Sequence, residues 1–206
     1  MQVIINKSQK KIIEKILREP GINVREIIRK TSLSPNYVLA CVNYLKERGI
    51  LKEEQLKKGK RVYLRRFYFN FNLNIGKNYF SIIEDEKKEE FFLKYPSLKS
   101  VLKHFVEELS QKKINFILIF GSYARFTAEK ESDIDILIVG DIKEKENIRE
   151  VFVSLPIEVS IKVESLKDFK KRLKDILHQQ IINDHILLYD CGDFVNLLTN
   201  FSHRKD

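Results

Sequence analysis

The stretch richest in chemistry is Phe120-Gly121-Ser122-Tyr123-Ala124-Arg125, followed after seven residues by Asp133-Ile134-Asp135-Ile136-Leu137-Ile138-Val139. The apolar run Ile114 to Phe120 reads as a buried strand that ends at Gly121-Ser122. A chain that turns there into a helix exposes backbone N–H groups and a hydroxyl, and glycine lets that backbone come close to a phosphate. On the next strand Asp133 and Asp135 are two residues apart, so their carboxylates leave the same face. Carboxylates so placed repel unless a cation joins them, and hard oxygen donors on an open face suit Mg²⁺ shared with substrate phosphates. Metal-assisted phosphoryl chemistry is the natural use of such a set.

At these residues the chain resembles the minimal nucleotidyltransferases of the DNA polymerase beta superfamily, whose pattern is Gly-Ser, two residues, Arg, a short loop, then Ser-Asp-x-Asp. Gly121, Ser122, Arg125, Ser132, Asp133 and Asp135 all match, and the resemblance spans residues 90 to 195 or so. It implies that Asp133 and Asp135 hold two Mg²⁺ ions and that Gly121, Ser122, Arg125 and Ser132 serve the binding of ATP or another NTP. It also implies a third carboxylate on a later strand, which completes the metal site and helps deprotonate the attacking hydroxyl. Glu158, between Ile157 and Val159, is the candidate, and Glu164 is the fallback. The implied reaction moves a nucleoside monophosphate, AMP from ATP foremost, to a hydroxyl; protein, RNA and small-molecule acceptors all stay open. Phe126 departs from the pattern, because many relatives have glycine after the arginine. A ring there could change the mouth of the nucleotide pocket or the access of the acceptor.

Several elements must position these residues. Leu98, Val101, Leu102, Phe105, Val106 and Leu109 recur at helical spacing from Ser97 and predict an amphipathic helix leading into Ile114–Phe120. Strands are expected over Ile134–Val139 and Ile157–Val163, with a charged helical stretch from Lys143 between them. Ser165 is expected to cap a helix with Asp168 at its third position, and a helical region from Asp175 to Tyr189 and a short tail finish the domain.

The net charge of +9 divides unevenly: residues 1–68 carry 17 Lys and Arg against 6 Asp and Glu, while the rest of the chain is at −2. Concentrated basicity is the footprint of phosphate-backbone binding. Ile12, Ile13, Ile16 and Leu17 mark one helix, ended by Pro20-Gly21. Asn23 and Glu26 form a capping box for a second, with Ile27 and Ile28 facing inward. Ser34-Pro35 starts a third, whose apolar face is Val38, Leu39, Val42 and Leu45. A hairpin with Gly59 at its tip follows, and three helices with a hairpin make a winged helix-turn-helix. The expected readers of DNA are Asn36, Tyr37, Asn43 and Tyr44 on helix three, asparagine being suited to adenine in the major groove. Lys57, Lys58, Lys60 and Arg61 on the wing, with Arg65 and Arg66 beyond, would supply affinity through phosphates. The other use of such a module is protein contact, including a homodimer.

The expected architecture is therefore α+β: a winged helix-turn-helix over residues 1–68, a connection over 69–90, and a mixed-sheet α/β nucleotidyltransferase domain over 91–206. Residues 67–75 alternate like a strand interrupted at Gly76, and the acidic run Glu84–Glu90 reads as a solvated turn or helix face. The longest apolar runs fall far short of the ~20 residues a membrane span needs. The N-terminus lacks a secretory pattern, which makes the cytosol the default compartment. Cys41 and Cys191 lack metal-ligand spacing, and His178 and His185, seven apart on one expected helix, are too far apart to chelate; His104 and His203 are isolated. A contrasting reading keeps the DNA-binding module and makes the nucleotidyltransferase fold a non-catalytic sensor of nucleotide or docking site for a partner.

Overall fold

Side-chain caps set four of the helix starts in the computed structural model, which describes residues 5–58, 61–142, 151–153, 155, 157–190 and 192–202. The chain forms two compact units, one running to Ile83 and including the chain end from Leu198, the other Glu84–Leu197.

In the first unit, Asn6 and Gln9 form a reciprocal capping box for α1 (Lys7–Arg18). After the two-residue strand β1 (Ile22–Asn23), Asn23 and Glu26 do the same for α2 (Val24–Thr31), each bond 3.1 Å long. The Ser34 hydroxyl accepts from the Tyr37 N–H and Pro35 takes the first position of α3 (Pro35–Glu47). Strands β2 (Leu51–Lys58) and β3 (Arg61–Phe69) make the antiparallel wing, and β1 adds to it in the order β1-β3-β2. Ile12, Ile13, Ile16, Ile27, Leu45, Ile50 and Phe67 are buried at the centre. Leu39 is not among them: it is 39% exposed and Cys41 takes its place. At 100° per residue Leu39 lies well off the stripe through Val38, Cys41, Val42 and Leu45.

The expected strand over 67–75 stops at Phe69. There the Asn70 side-chain amide donates to the Gly49 carbonyl, its backbone N–H donates to that of Ile50, and its side-chain oxygen accepts from the Asn72 N–H, which turns the chain. Helix α4 (Asn74–Lys94) then begins, so Gly76 lies inside a helix. A Cβ on Gly76 would collide with the Asn70 carbonyl oxygen, which explains the glycine as a close approach of backbone to backbone.

In the second unit a four-stranded sheet runs in the order β6-β5-β4-β7, with β4 (Ile114–Phe120), β5 (Ile134–Gly140), β6 (Val159–Glu164) and β7 (Ile186–Asp190). Only β5 and β6 are parallel, so the sheet is mixed. Ile117, Ile119, Ile134, Ile136 and Ile138 face a layer built from α5 (Pro96–Ser110) through Leu98, Leu102, Phe105 and Leu109. On the opposite face Phe116 packs edge-on against Phe169 of α7 (Leu166–Arg172) and Phe194 of α9 (Asp193–Ser202). Ser165 caps α7 through the Asp168 N–H at 3.1 Å.

Three expectations are corrected here. The region Asp175–Tyr189 divides into α8 (Ile176–Asn183) and β7, because the helix stops at Asp184 and Ile186 pairs with Ile119 on β4. The tail is α9, whose start is held by Asp190 accepting from the N–H groups of Gly192, Phe194 and Val195. The run Glu84–Glu90 is helical, and Glu84 is buried against His185 rather than solvated. The charged stretch from Lys143, the wing tip and Cys191 lie outside the described residues, among which no helix is long and apolar enough to cross a membrane.

Candidate active site

The register Phe120↔Asp135 places the end of β4 beside the start of β5. Gly121 opens the four-residue helix α6 (Gly121–Ala124) at φ +77°, and a Cβ there would fall well under 3.0 Å from Asp135 Oδ2. Glycine is therefore required twice, for its left-handed backbone and for the room it leaves the carboxylate. Asp135 is half-buried, and burial pushes its carboxyl above the usual range; Lys162 opposes this, Asp133 adds to it and Arg125 opposes it. Asp133 is exposed one residue ahead of β5.

The neighbours hold the loop between the two motifs. The Ser122 carbonyl accepts from the Thr127 N–H at 2.9 Å. Ser132 closes a turn, its hydroxyl accepting from the Glu129 N–H at 2.9 Å and its own N–H donating to the Glu129 carbonyl at 3.1 Å. Arg125 is exposed. Tyr123 is buried beside Asp133 with its ring 4.9 Å from that of Tyr95; burial first, then Tyr95 and Asp133, raises its hydroxyl pKa. Phe126 has φ +59°, a left-handed conformation that costs a residue with a Cβ about 1–2 kcal/mol. Its ring packs edge-on to Phe91 at 6.5 Å.

Glu158 is exposed just ahead of β6, and its carbonyl accepts from the Ile134 N–H at 3.0 Å. The pairing Ile134↔Val159 sets Glu158 alongside Asp133. Glu164, at the far end of β6, bonds Arg172 at 3.2 Å and His178 at 3.1 Å. Lys162 was not singled out by motif, yet strand alternation puts it on the face of Glu158, Ser160 and Asp135, with its ammonium 5.4 Å from the Phe120 ring centre.

Among the described residues no three His, Cys, Asp or Glu side chains gather into a ready-made metal cage. The donors that are present still suit magnesium. Asp133 and Asp135 are hard oxygen ligands whose mutual repulsion a divalent cation would relieve, and magnesium is commonly held by one or two carboxylates together with substrate phosphates.

In the winged helix, Asn36 is exposed on the first turn of α3. Asn43 is half-buried and its side-chain oxygen accepts from Arg65 at 3.2 Å; Arg65 in turn pairs with Glu53 at 2.5 Å, and Lys46 joins Glu53 at 2.9 Å. The Tyr37 hydroxyl donates to Asn6 at 3.0 Å, and Tyr44 is 40% exposed beneath the Arg48 guanidinium, 4.9 Å from its ring centre. Lys57 and Arg66 are exposed. Lys60 lies outside the described residues, as do the side chains of Lys58 and Arg61. Structure thus leaves Asn36 open on the helix while engaging Asn43 and Tyr37 within the module. Cys41 is buried, and burial pushes its thiol up to about 11. His178 and His185 are buried too, and only His178 is on α8; His185 lies in the turn after it, 3.2 Å from Glu84. His104 is exposed and pairs with Glu108, and His203 is outside the described residues.

A mixed sheet bearing a glycine-serine turn against paired aspartates defines a nucleotidyltransferase-type domain, and comparison with known proteins agrees. Residues 102–192 match the family described as "Polymerase beta, Nucleotidyltransferase", and residues 5–52 match "Winged helix-turn-helix DNA-binding". Two Methanocaldococcus jannaschii proteins, each named "Putative protein adenylyltransferase", are similar: one is 34% identical over 97 residues, covering 44% of this chain and 97% of the relative. The other is 28% identical over 90 residues, covering 40% and 90%. A crystal structure titled a "putative nucleotidyltransferase from Sulfolobus solfataricus" shares 25% identity over 53% of this chain and 88% of that one, with a TM-score of 0.30. The chain belongs to the polymerase beta-type nucleotidyltransferase family and carries an N-terminal winged helix-turn-helix.

Proposed function

We propose that the second unit transfers a nucleoside monophosphate, AMP from ATP, to a hydroxyl of an acceptor, and that the winged helix binds the same molecule to DNA. The observation that carries this is the seating of the Asp135 carboxylate against the bare Gly121 backbone, with Asp133 beside it. The naming of both relatives as protein adenylyltransferases supports AMP as the group and a protein hydroxyl as acceptor.

Asp133 and Asp135 would hold magnesium, which supplies neutralisation of the charge on the transferring phosphoryl group. Gly121 and Ser122 seat the triphosphate, with Ser132 closing the loop that follows. Arg125 and Lys162 bring positive charge to the site, where they offset the carboxylates and attract phosphate. Glu158 accepts the proton of the acceptor hydroxyl while the acceptor's oxygen bonds to the α-phosphorus, the bond from the α-phosphorus to the oxygen bridging to the β-phosphate breaks, and pyrophosphate leaves. Label from α-phosphate-labelled ATP should pass to an acceptor in cell lysate and vanish in Asp133→Asn/Asp135→Asn. Absence of transfer from all four NTPs by the unaltered protein would remove the enzymatic reading.

The exposure of Glu158, which among the described residues belongs to no three-carboxylate cluster, favours a second reading in which the domain binds nucleotide without transferring it and thereby sets DNA affinity. The same assay separates the two: a sensor would bind Mg·ATP and shift DNA binding while passing no label.

A further inference from the structure

We propose that Lys94 and Phe126 form a latch that positions the loop from Arg125 to Asp133 for nucleotide binding, with Lys94 as the positioning residue. This rests on the nucleotidyltransferase reading of the site. Phe126 occupies a left-handed backbone conformation that glycine adopts freely and that a residue with a side chain adopts only when its surroundings hold it there.

The holding groups come from the end of α4. Lys94 Nζ donates to the Phe126 carbonyl at 2.5 Å, a charge-assisted bond to a backbone group outside any helix or strand ladder. The same ammonium stands 5.8 Å from the Phe126 ring centre and 5.6 Å from that of Tyr95, so it grips both the backbone and the ring. Phe91, one turn earlier on α4, meets the Phe126 ring edge-on. Immediately beyond, both the N–H and the hydroxyl of Thr127 donate to the Ser122 carbonyl, at 2.9 and 3.4 Å, so the backbone angle at Phe126 governs how the loop ties back to the glycine-serine turn. The loop then closes at Ser132 and delivers Asp133. Where glycine fills the Phe126 position no latch is needed, because the left-handed turn is intrinsically accessible.

That difference makes the test a double-mutant cycle, read as the Kd of the full chain for Mg·α,β-methylene-ATP and as hydrogen exchange at the Thr127 amide. Lys94→Met should weaken binding about fivefold to tenfold and speed Thr127 exchange, while Lys94→Arg, which keeps a donor and a cation over the rings, should stay within about twofold. Adding Lys94→Met to Phe126→Gly should change neither quantity by more than about twofold relative to Phe126→Gly alone. Unchanged binding and exchange in Lys94→Met would overturn the latch, and so would a loss that persists undiminished in the Phe126→Gly background. If the unaltered protein fails to bind the nucleotide while the Thr127 pattern holds, the nucleotide reading of the site falls and the loop latch itself stands.

Discussion

Replacing Gly121 by alanine should severely impair nucleotide chemistry while leaving the fold standing. The new methyl group would occupy the space of Asp135 Oδ2, and ordinary van der Waals separation would require the carboxylate to retreat by about 1 Å. Alanine at φ +77° adds about 1–2 kcal/mol of backbone strain, a cost the unit can bear. A displacement of that size at a reacting centre costs on the order of 10²-fold in rate. The expected result is a fall of about 100-fold in transfer from labelled ATP, a Kd for Mg·ATP raised about tenfold or more, and a Tm lowered by only a few degrees. Asp135→Asn serves as the reference, since it removes the carboxylate's charge without moving the backbone. If Gly121→Ala retains transfer and Mg·ATP affinity within about threefold of the unaltered protein, the contact between Gly121 and Asp135 is a packing feature and the site lies elsewhere.

In the winged helix, log affinity for duplex DNA should fall steeply with log salt, and neutralising Lys57, Lys58, Lys60 and Arg61 together should flatten the slope by up to about 3.6; a slope indifferent to them would reassign the wing. Asn36→Ala should cost about 1–3 kcal/mol on a site selected from a random duplex library and little on other DNA, whereas Asn43→Ala, which releases Arg65, should alter affinity on all sequences alike. Glu53, whose side chain is 6% exposed, is held down to about 2 from 4.5, chiefly by its bond to Arg65 against opposing burial and with help from Lys46 and Gln55. A depressed folded-state pKa stabilises above the unfolded value and loses that stabilisation as pH falls through the folded one, so Glu53→Gln should destabilise α3 by on the order of 2–3 kcal/mol at pH 7 and by almost nothing near pH 2. Exchange of α3 amides at the two pH values would measure it, and a pH-independent difference would count against the ion pair. Cys41 should resist thiol reagents at pH 8 in the folded protein and react on unfolding, as its raised pKa and burial require.

Elements with strong local signals were legible from residue types alone. The Asn23–Glu26 capping box, the Ser34-Pro35 start of α3 and the alternation of isoleucine and aspartate in β5 each have one local solution, and the chain adopts it. The misses share a physical cause in tertiary pairing. Ile186-Leu187-Leu188-Tyr189 is too short an apolar run for periodicity to separate strand from helix, and its pairing with β4 decides. The asparagine-phenylalanine alternation after Phe67 reads as a strand, yet Asn70 satisfies Gly49 and Ile50 and so ends it. At the candidate site, Gly121, Asp133 and Asp135 were visible as a motif, whereas Lys162 belongs to no motif and is found only when β6 is registered against β5. Helix three shows the same limit, since spacing puts Asn36 and Asn43 on one face but cannot reveal that Arg65 reaches across from the wing to claim Asn43.

The place of the aspartates at the start of β5 follows from what covers the sheet. Asp133, Asp135, Leu137 and Val139 share one face by alternation, and Leu137 and Val139 are completely buried. On the neighbouring strand that face carries Phe116, opposite Val139, and Phe116 is covered by Phe169 and Phe194. A carboxylate at 137 or 139 would therefore be taken out of water beneath these rings, at a cost of several kcal/mol. Only the end of the strand beside Gly121 leaves that face open, so a pair of charged side chains two apart can be tolerated there and nowhere further along. A one-residue slip of β5 would turn Ile134 and Ile136 outward and drive Asp135 into the layer packed on α5. The alternation that builds the core is thus the same alternation that presents the acidic pair, and register errors that would disarm the site are removed by the cost of exposing the isoleucines.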